Sequence, residues 1–205
     1  MDSTTRDALR RISEEFSQLS YIRPEDIPDI PLYMDQITSF MDAKLAPCKR
    51  HPDEKILTKT MINNYTKNKL IPPPEKKKYS KDHLFLLIYV YYLKDFLQIS
   101  DIQALLEPLE KLFFQREDGL SMTDIYKTAV EIVSGQKEEM LKDLMKRFDI
   151  ARKAFPGQEK QEEEQYLQLF SFVTLLSFDV YVKKKLIEAA VDNLIQYRKG
   201  LDHDE

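Results

Sequence analysis

The scarcity of glycine constrains the fold of this chain more than any other feature, because only four glycines occur among 205 residues. Folds rich in β-strands use many glycines in tight turns, and phosphate-binding loops need several glycines close together. Apolar residues instead recur with the spacing of three and four that places them on one side of a helix. The sequence therefore predicts an all-α protein, with strand structure confined to one short basic loop.

The composition is typical of a folded protein in a reducing compartment. Hydrophobic residues make up 42% of the chain and charged residues 32%, which is enough apolar content for a core. A single cysteine, Cys48, excludes an internal disulfide. The polar residues 1–9 do not resemble a secretory signal, and the apolar run 84–93 is shorter than the roughly 20 residues of a membrane span. We expect a cytoplasmic protein that does not bind membranes.

Charge is distributed unevenly along the chain. Residues 44–82 contain eleven Lys or Arg and four acids, a net charge of +7 in a chain of net −4, so the rest carries −11. A basic segment on an acidic body suits contact with a polyanion, although a lysine-rich segment can also be a solvated loop.

Apolar periodicity and capping residues predict a series of helices. Thr58 and Ser80 are expected N-caps, and Ser100 with Gln103 and Ser121 with Asp124 have the spacing of capping boxes. Pro108 should bend the helix that contains it, or begin a second segment of it. The predicted helices cover residues 3–19, 32–45, 58–69, 81–96, 101–114, 121–133, 140–155 and 163–198.

The helix predicted over 58–69 has two chemically different faces. Ile62, Tyr65 and Thr66 fall on one side, whereas Lys59, Asn63 and Lys67 fall on the other. A short helix held by one face and carrying lysines and amides on the other suits the major groove of DNA, since lysines meet phosphates and asparagine can pair with adenine. After the prolines 72–74, the basic loop 75–79 would add contacts to the DNA backbone.

The same segment resembles the DNA-binding domain of MerR-type regulators over residues 33–106. The resemblance lies in Met-Ile-Asn-Asn-Tyr-Thr-Lys-Asn-Lys-Leu-Ile-Pro-Pro at 61–73, Lys-Tyr-Ser-Lys-Asp-His-Leu at 78–84 and Leu-Gln-Ile-Ser-Asp-Ile at 97–102. It implies a winged helix-turn-helix in which 58–69 is the recognition helix and 75–79 the wing. Asn63 stands where MerR proteins carry an arginine and Asn64 where they carry a tyrosine. The loop 75–78 replaces a Gly-Tyr-Arg wing motif, and Pro108 and Gly119 interrupt the region of their dimerisation helix.

A second resemblance covers most of the chain. Pro-Asp-Ile-Pro-Leu-Tyr-Met-Asp-Gln-Ile at 28–37, followed by the MerR-like segment, is similar to a family of uncharacterised proteins from Gram-positive bacteria. That resemblance implies kinship and no particular activity.

Residues for catalysis or metal binding do not form a recognisable set in the sequence. Cys48 and His51 have the spacing of half a zinc site without a second pair of ligands, so a surface turn is the simpler interpretation. No catalytic triad, pair of catalytic carboxylates or phosphate loop can be assembled, and we predict no enzyme activity, metal or cofactor. Two aromatic clusters could belong to the core or line a ligand pocket; a central core helix is the simpler interpretation of the first, and the second leaves more room for an effector site or a dimer seam. They are Phe85, Tyr89, Tyr91, Tyr92 and Phe96, and Phe170, Phe172, Phe178 and Tyr181.

These patterns together predict a transcriptional regulator. Residues 1–115 are expected to form the MerR-like winged helix-turn-helix, and residues 116–205 a helical bundle for dimerisation or partner contact. The expected partners are double-stranded DNA and a second copy of the chain. A protein–protein adaptor on a helix-turn-helix scaffold is the first alternative, and a helical enzyme or ligand carrier with a pocket near 170–181 is the second. The predicted DNA-binding residues are Lys59, Thr60, Asn63, Asn64, Lys67, Lys76, Lys77 and Lys78.

Overall fold

A computed structural model describes residues 10–12, 14, 21–158 and 160–201. Most of the described residues are helical, which confirms the prediction of a largely helical protein. The helix predicted over 3–19 lies mainly outside the described residues, and those of its residues that are described are helical. None of the helices in the described part of the chain combines the length and apolar character needed to cross a membrane.

Seven α-helices and two short strands follow one another in the described part of the chain. The strands are β1 (Leu32–Tyr33) and β2 (Lys78–Tyr79). The helices are α1 (Met34–Lys44), α2 (Lys59–Lys67), α3 (Lys81–Leu93), α4 (Ile99–Phe113), α5 (Met122–Gly135), α6 (Lys137–Ala151) and α7 (Gln161–Leu201). Short 3-10 turns lie at Pro24–Asp26 and Ala46–Cys48.

The two strands form an antiparallel pair in which Leu32 lies opposite Tyr79 and Tyr33 opposite Lys78. The prediction that Leu32 and Tyr33 belong to the following helix was therefore wrong, since α1 begins at Met34. Backbone pairing with β2, more than forty residues away, holds these two residues extended. The pair fixes the end of the basic loop beside the start of α1.

The chain divides into two compact units, of which the larger comprises residues 21–131 and the described part of 187–205. Its core is built around α3, whose residues Leu84–Ile88 and Val90 are buried, as the nearly continuous apolar sequence of that helix predicts. Side chains from α1, α2, α4 and α5 belong to the same buried cluster as those of α3, together with Val191 of α7. Tyr126 of α5 donates a hydrogen bond of 2.6 Å to the carbonyl of Ile22 within this unit.

The smaller unit comprises residues 132–186 and the described part of 1–20. Phe148 of α6 and Phe172 of α7 are buried and meet edge to face, with ring centres 5.2 Å apart. Arg147 contacts Asp179 at 3.3 Å across the same pair of helices. The predicted division of the chain after residue 115 into two domains stays a prediction.

Several helix boundaries follow from the capping residues, and others do not. Ser121 and Asp124 exchange hydrogen bonds of 3.0 and 3.2 Å ahead of α5, which confirms that capping box. The cap predicted at Ser100 was wrong, because α4 begins at Ile99 and continues through Pro108 to Phe113. Phe155, predicted within the preceding helix, lies beyond the end of α6 with a positive φ of 52°.

Candidate nucleic-acid interface

The helix α2 presents the predicted contact residues on one side. Lys59, Thr60, Asn63, Asn64 and Lys67 are all exposed. At 100° per residue they fall within an arc of about 140° on the helix surface. The buried side chains, Ile62 and Tyr65, lie on the opposite side and join the core of the larger unit. Core packing therefore orients the helix, and the amide and lysine side chains are left in solvent.

Both ends of α2 are defined by hydrogen bonds. The Thr58 hydroxyl accepts a hydrogen bond of 3.1 Å from the Met61 backbone N–H, which confirms Thr58 as the N-cap. At the other end the Leu70 N–H donates to the Tyr65 carbonyl at 2.9 Å and the Lys69 N–H to the Thr66 carbonyl at 3.1 Å. These two bonds form a Schellman motif, with Lys69 in the left-handed region at φ 55°. The helix therefore ends at Lys67, two residues earlier than predicted.

A tight hairpin follows the proline run. The Lys78 N–H donates a hydrogen bond of 2.9 Å to the Glu75 carbonyl and closes a turn whose central residues are Lys76 and Lys77. These two lysines have φ angles of 49° and 66°, as the central residues of a type I′ turn do. The ammonium group of Lys78 lies 5.2 Å from the centre of the Tyr33 ring. The basic loop predicted over 75–79 is therefore a hairpin with two adjacent lysines at its tip.

An open groove of about 640 Å³ lies between the exposed face of α2, the start of α1 and the hairpin. It brings three of the predicted residues together, namely Asn63, Lys67 and Lys77. Its other lining residues are Tyr33, Met34, Asp35, Thr66, Pro74 and Tyr79. The other five predicted residues do not line the groove, although all are exposed; they are Lys59, Thr60, Asn64, Lys76 and Lys78.

The cationic side chains around the groove differ in their partners. Lys59 forms an ion pair with Asp35 at the start of α1. Lys67, Lys76 and Lys77 have no carboxylate partner among the residues that the structure describes. Unpaired lysines on an exposed surface can release counterions from a polyanion without first breaking an ion pair.

A buried histidine supports the base of the hairpin. The Nδ1 atom of His83 accepts a hydrogen bond of 3.0 Å from the Ser80 backbone N–H, and its Nε2 atom lies 3.4 Å from the Pro73 carbonyl. Because a backbone N–H only donates, Nδ1 is unprotonated and the proton lies on Nε2, facing Pro73. The His83 ring also meets Tyr79 and Phe114 edge to face. Burial lowers the pKa of His83 below its ordinary value of 6.5.

Sequence reasoning missed Tyr33 and Asp35 as parts of this surface. Both were assigned to the helix that precedes α2, and their contacts with the hairpin and α2 join residues far apart in the sequence. The strand signal at 32–33 covers two residues, which is too short for a recognisable alternation. No pattern in the neighbouring sequence indicates that Tyr33 and Asp35 line the groove.

The other candidate sites do not form an equivalent arrangement. Cys48 is partly buried in a 3-10 turn, where burial raises the pKa of its thiol, and His51 is exposed. Among the described residues no group of three or more His, Cys, Asp or Glu side chains could hold a metal ion. Phe85 is buried in the core, and Tyr89, Tyr91, Tyr92 and Phe96 are partly buried and pack against it. Phe170 and Tyr181 are exposed, whereas Phe172 is buried.

Comparison with protein families gives a match. The family described as Domain of unknown function (DUF1836) matches residues 22–129, which is more than half of the chain and includes α2, the hairpin and the groove. The chain therefore belongs to this family. Neither the curated proteins nor the solved structures contain a match.

Proposed function

We propose that this member of the DUF1836 family is a double-stranded DNA-binding transcriptional regulator of the cytoplasm. In this proposal α2 enters the major groove and the hairpin Glu75–Lys78 contacts the flanking phosphates. The observation that carries the proposal is the exposed face of α2, where Asn63 and Lys67 share one groove with Lys77 of the hairpin.

The dimensions and chemistry of this surface suit the major groove. The major groove of B-DNA is about 12 Å wide and accepts one α-helix, so a short helix that is anchored by its opposite face can reach the base edges. Asn63 has the donor and acceptor needed to pair with the N6 and N7 atoms of adenine. Lys67 and Lys77 are placed for contacts with phosphates, which fix orientation and contribute affinity without reading sequence.

The MerR-like interpretation supports the same assignment. In the order of elements, α1 and α2 are followed by a proline stop, a hairpin and the apolar helix α3. Pairing of β1 with β2 ties the hairpin to the start of α1, as expected for a wing that is part of the domain rather than a free loop. We assign α2 as the recognition helix and Glu75–Lys78 as the wing on this basis.

A dimer of the chain would have two recognition helices, one from each copy. Regulators of the helix-turn-helix type bind half-sites one helical turn of DNA apart, about 34 Å, through a two-fold symmetric dimer. We therefore propose a homodimer that binds a palindromic site. The net negative charge outside residues 44–82 would keep the rest of the protein away from the DNA and direct binding to this surface.

A protein–protein adaptor is the second candidate, and one observation favours it. Asp35 lines the groove and pairs with Lys59, so the surface carries an acidic group where DNA would approach. A groove with both charges and an exposed tyrosine also suits a protein segment. The two candidates differ in their response to nucleic acid.

Selection of bound sequences from a random duplex pool, with the full chain as bait, tests the proposal. A DNA-binding regulator enriches a palindromic motif, and a gel shift with that motif weakens steeply as salt is raised. The adaptor enriches no motif. Failure to shift any duplex even at low salt would overturn the DNA-binding proposal.

A further inference from the structure

A stripe of exposed apolar side chains runs along the first half of α7. Tyr166, Phe170 and Tyr181 expose 67%, 56% and 57% of their surfaces, and Val173 between them exposes 53%. Their spacing of three, four and eight residues places them on one face of the helix. Aromatic residues contribute more to core and interface energetics than other side chains, so an exposed apolar stripe that contains three of them indicates an interface.

The opposite face of α7 is already used within the smaller unit. Phe172 is buried against Phe148 of α6, and Asp179 contacts Arg147. At 100° per residue, Phe172 points about 160° away from Phe170. The stripe therefore faces away from the partner helix that α7 has within its own unit.

We propose that this stripe pairs with the same stripe of a second copy, with the two α7 helices antiparallel and the two-fold axis between Val173 and Thr174. The proposal identifies a surface and a register for the partner, and it does not depend on DNA binding.

The sequence of the stripe is self-complementary in this register. With the two-fold axis between residues 173 and 174, residue n of one copy lies opposite residue 347 − n of the other copy. Tyr166 then faces Tyr181 of the partner subunit, and Phe170 faces Ser177 of the partner subunit. Large side chains therefore meet small ones near the centre, as close packing of two helices requires.

The charged residues at the two ends of the stripe are also related by the proposed two-fold axis. The first turn of α7 carries Glu162, Glu163 and Glu164, and the sequence carries three lysines at 183–185. In the proposed register these acidic and basic blocks face each other at both ends of the pair. Within the chain, Glu163 also contacts Lys160, and Lys183 also contacts Asp179. The proposed pairing therefore depends on the overall sign of the charge at each end of the stripe and does not need side chains without a partner.

The exposed area is close to what a stable pair buries. Taking about 150–250 Å² for each full aromatic side chain, the stripe and its flanking residues Leu169 and Phe178 expose roughly 600 Å² per copy. A standard interface covers about 800 Å² per partner, polar rim included. A parallel pair would bury a similar area but would bring the acidic ends together.

Sedimentation of the full chain over a concentration series, with charge-reversal variants, tests the pairing. Glu163→Lys and Lys184→Glu each place two like-charge contacts in the pair, so each should raise the dimer dissociation constant about tenfold. The double variant restores opposite charges and should return the dissociation constant to that of the parent. A monomeric parent at all concentrations, or a double variant that is weaker than both single variants, would overturn the proposal.

A substitution in the apolar stripe has a matched control on the same helix. Phe170→Glu should raise the dissociation constant about a hundredfold or more, since it removes a central aromatic contact. Leu186→Glu alters another exposed apolar residue of α7, about 160° around the helix from Phe170, and should leave the dissociation constant unchanged. Circular dichroism checks that both variants keep the helical content of the parent. Equal effects of the two substitutions would contradict the assignment of the stripe.

Disulfide trapping in a Cys48→Ser background distinguishes the direction of the helices. Val173→Cys, beside the axis, should form covalent dimers with itself under mild oxidation. Tyr166→Cys should not do so alone, because its counterpart lies about 22 Å away along the helix, but should cross-link when mixed with Tyr181→Cys. Self-cross-linking of Tyr166→Cys would indicate a parallel pair and overturn the proposed register.

Discussion

Lys76 and Lys77 are adjacent residues at the tip of the hairpin, and both have positive backbone φ angles, 49° and 66°. Such a conformation is ordinarily taken by asparagine or glycine, because a Cβ atom crowds the backbone there. Holding two lysines in it costs stability, and it leaves two exposed cations side by side at the hairpin tip. The DNA-binding proposal explains this arrangement as stability given up for phosphate contacts.

A double variant that combines Lys76→Asn with Lys77→Gly tests that explanation. The turn would then have the sequence preferred for type I′ geometry, and the free energy of unfolding should rise by about 1–2 kcal/mol. The affinity for DNA should fall, and its logarithmic salt slope should decrease by about 2 units, because two cations are lost. Urea unfolding and binding titrations measure the two quantities. A variant that is less stable than the parent would contradict the assigned turn.

Asp35 should weaken DNA binding in the parent. Its carboxylate lines the groove and pairs with Lys59, so Asp35→Asn removes a negative charge and frees a lysine. We expect the variant to bind a duplex about fivefold more tightly at low salt, with the difference shrinking as salt screens it. Asp42→Asn makes the same change of charge on α1, where the carboxylate pairs with Lys49, and serves as the control. Equal affinities for the two variants would place Asp35 outside the binding surface.

The neutral form of His83 stabilises the fold. Burial lowers the pKa of His83, whereas the unfolded chain titrates near 6.5 and takes up the proton more readily. The contribution of this residue to stability is therefore complete above pH 6.5 and is lost as the pH falls below that value. Protonation of Nδ1 would also break its hydrogen bond with the Ser80 N–H.

His83→Gln isolates this contribution, because glutamine at the same position can accept the Ser80 hydrogen bond without titrating. Urea midpoints measured on either side of pH 6.5 should fall more steeply for the parent than for the variant. All other titrating groups are common to both proteins, so the difference in slope belongs to residue 83. Parallel pH profiles would show that His83 does not couple protonation to folding.

Local signals predicted most of the helical fold. Thr58, Ser80 and Ser121 lie where their side chains begin a helix, and the apolar run of α3 identified the centre of the core. The burial of Ile62 and the exposure of Asn63 were also predictable from the sequence, because helical spacing places the two residues on different sides of α2. These features depend on residues within one or two turns of each other.

Features that depend on distant residues could not be read in this way. Leu32 is extended because it pairs with Tyr79, and the groove forms because α1 and the hairpin meet at α2. The positive φ of Lys69 had no local indication either, since a lysine occupies the position where glycine is favoured. Its Schellman hydrogen bonds and the burial of Leu70 hold that conformation.

We expect Asn63 to contact a base and Lys67 to contact a phosphate, so substitutions of the two residues should affect DNA binding differently. Asn63→Ala is expected to relax preference at one base step, at a cost of about 1–3 kcal/mol for the preferred sequence. Lys67→Ala should weaken binding to all sequences alike. Selection from a random duplex pool, repeated with each variant, distinguishes the two outcomes. Identical motifs from the parent and Asn63→Ala would mean that Asn63 does not read sequence.

The salt dependence of DNA binding by the full chain tests the central claim most directly. The logarithm of the parent's affinity for a duplex should fall linearly with the logarithm of salt concentration, and Lys67→Ala with Lys77→Ala should reduce that slope by about 2 units. The matched control replaces two other exposed lysines that have no carboxylate partner among the described residues, Lys146 and Lys153, and should leave the slope at the parent value. A parent that binds no duplex at low salt, or a control that loses as much slope as the groove variant, would contradict the claim.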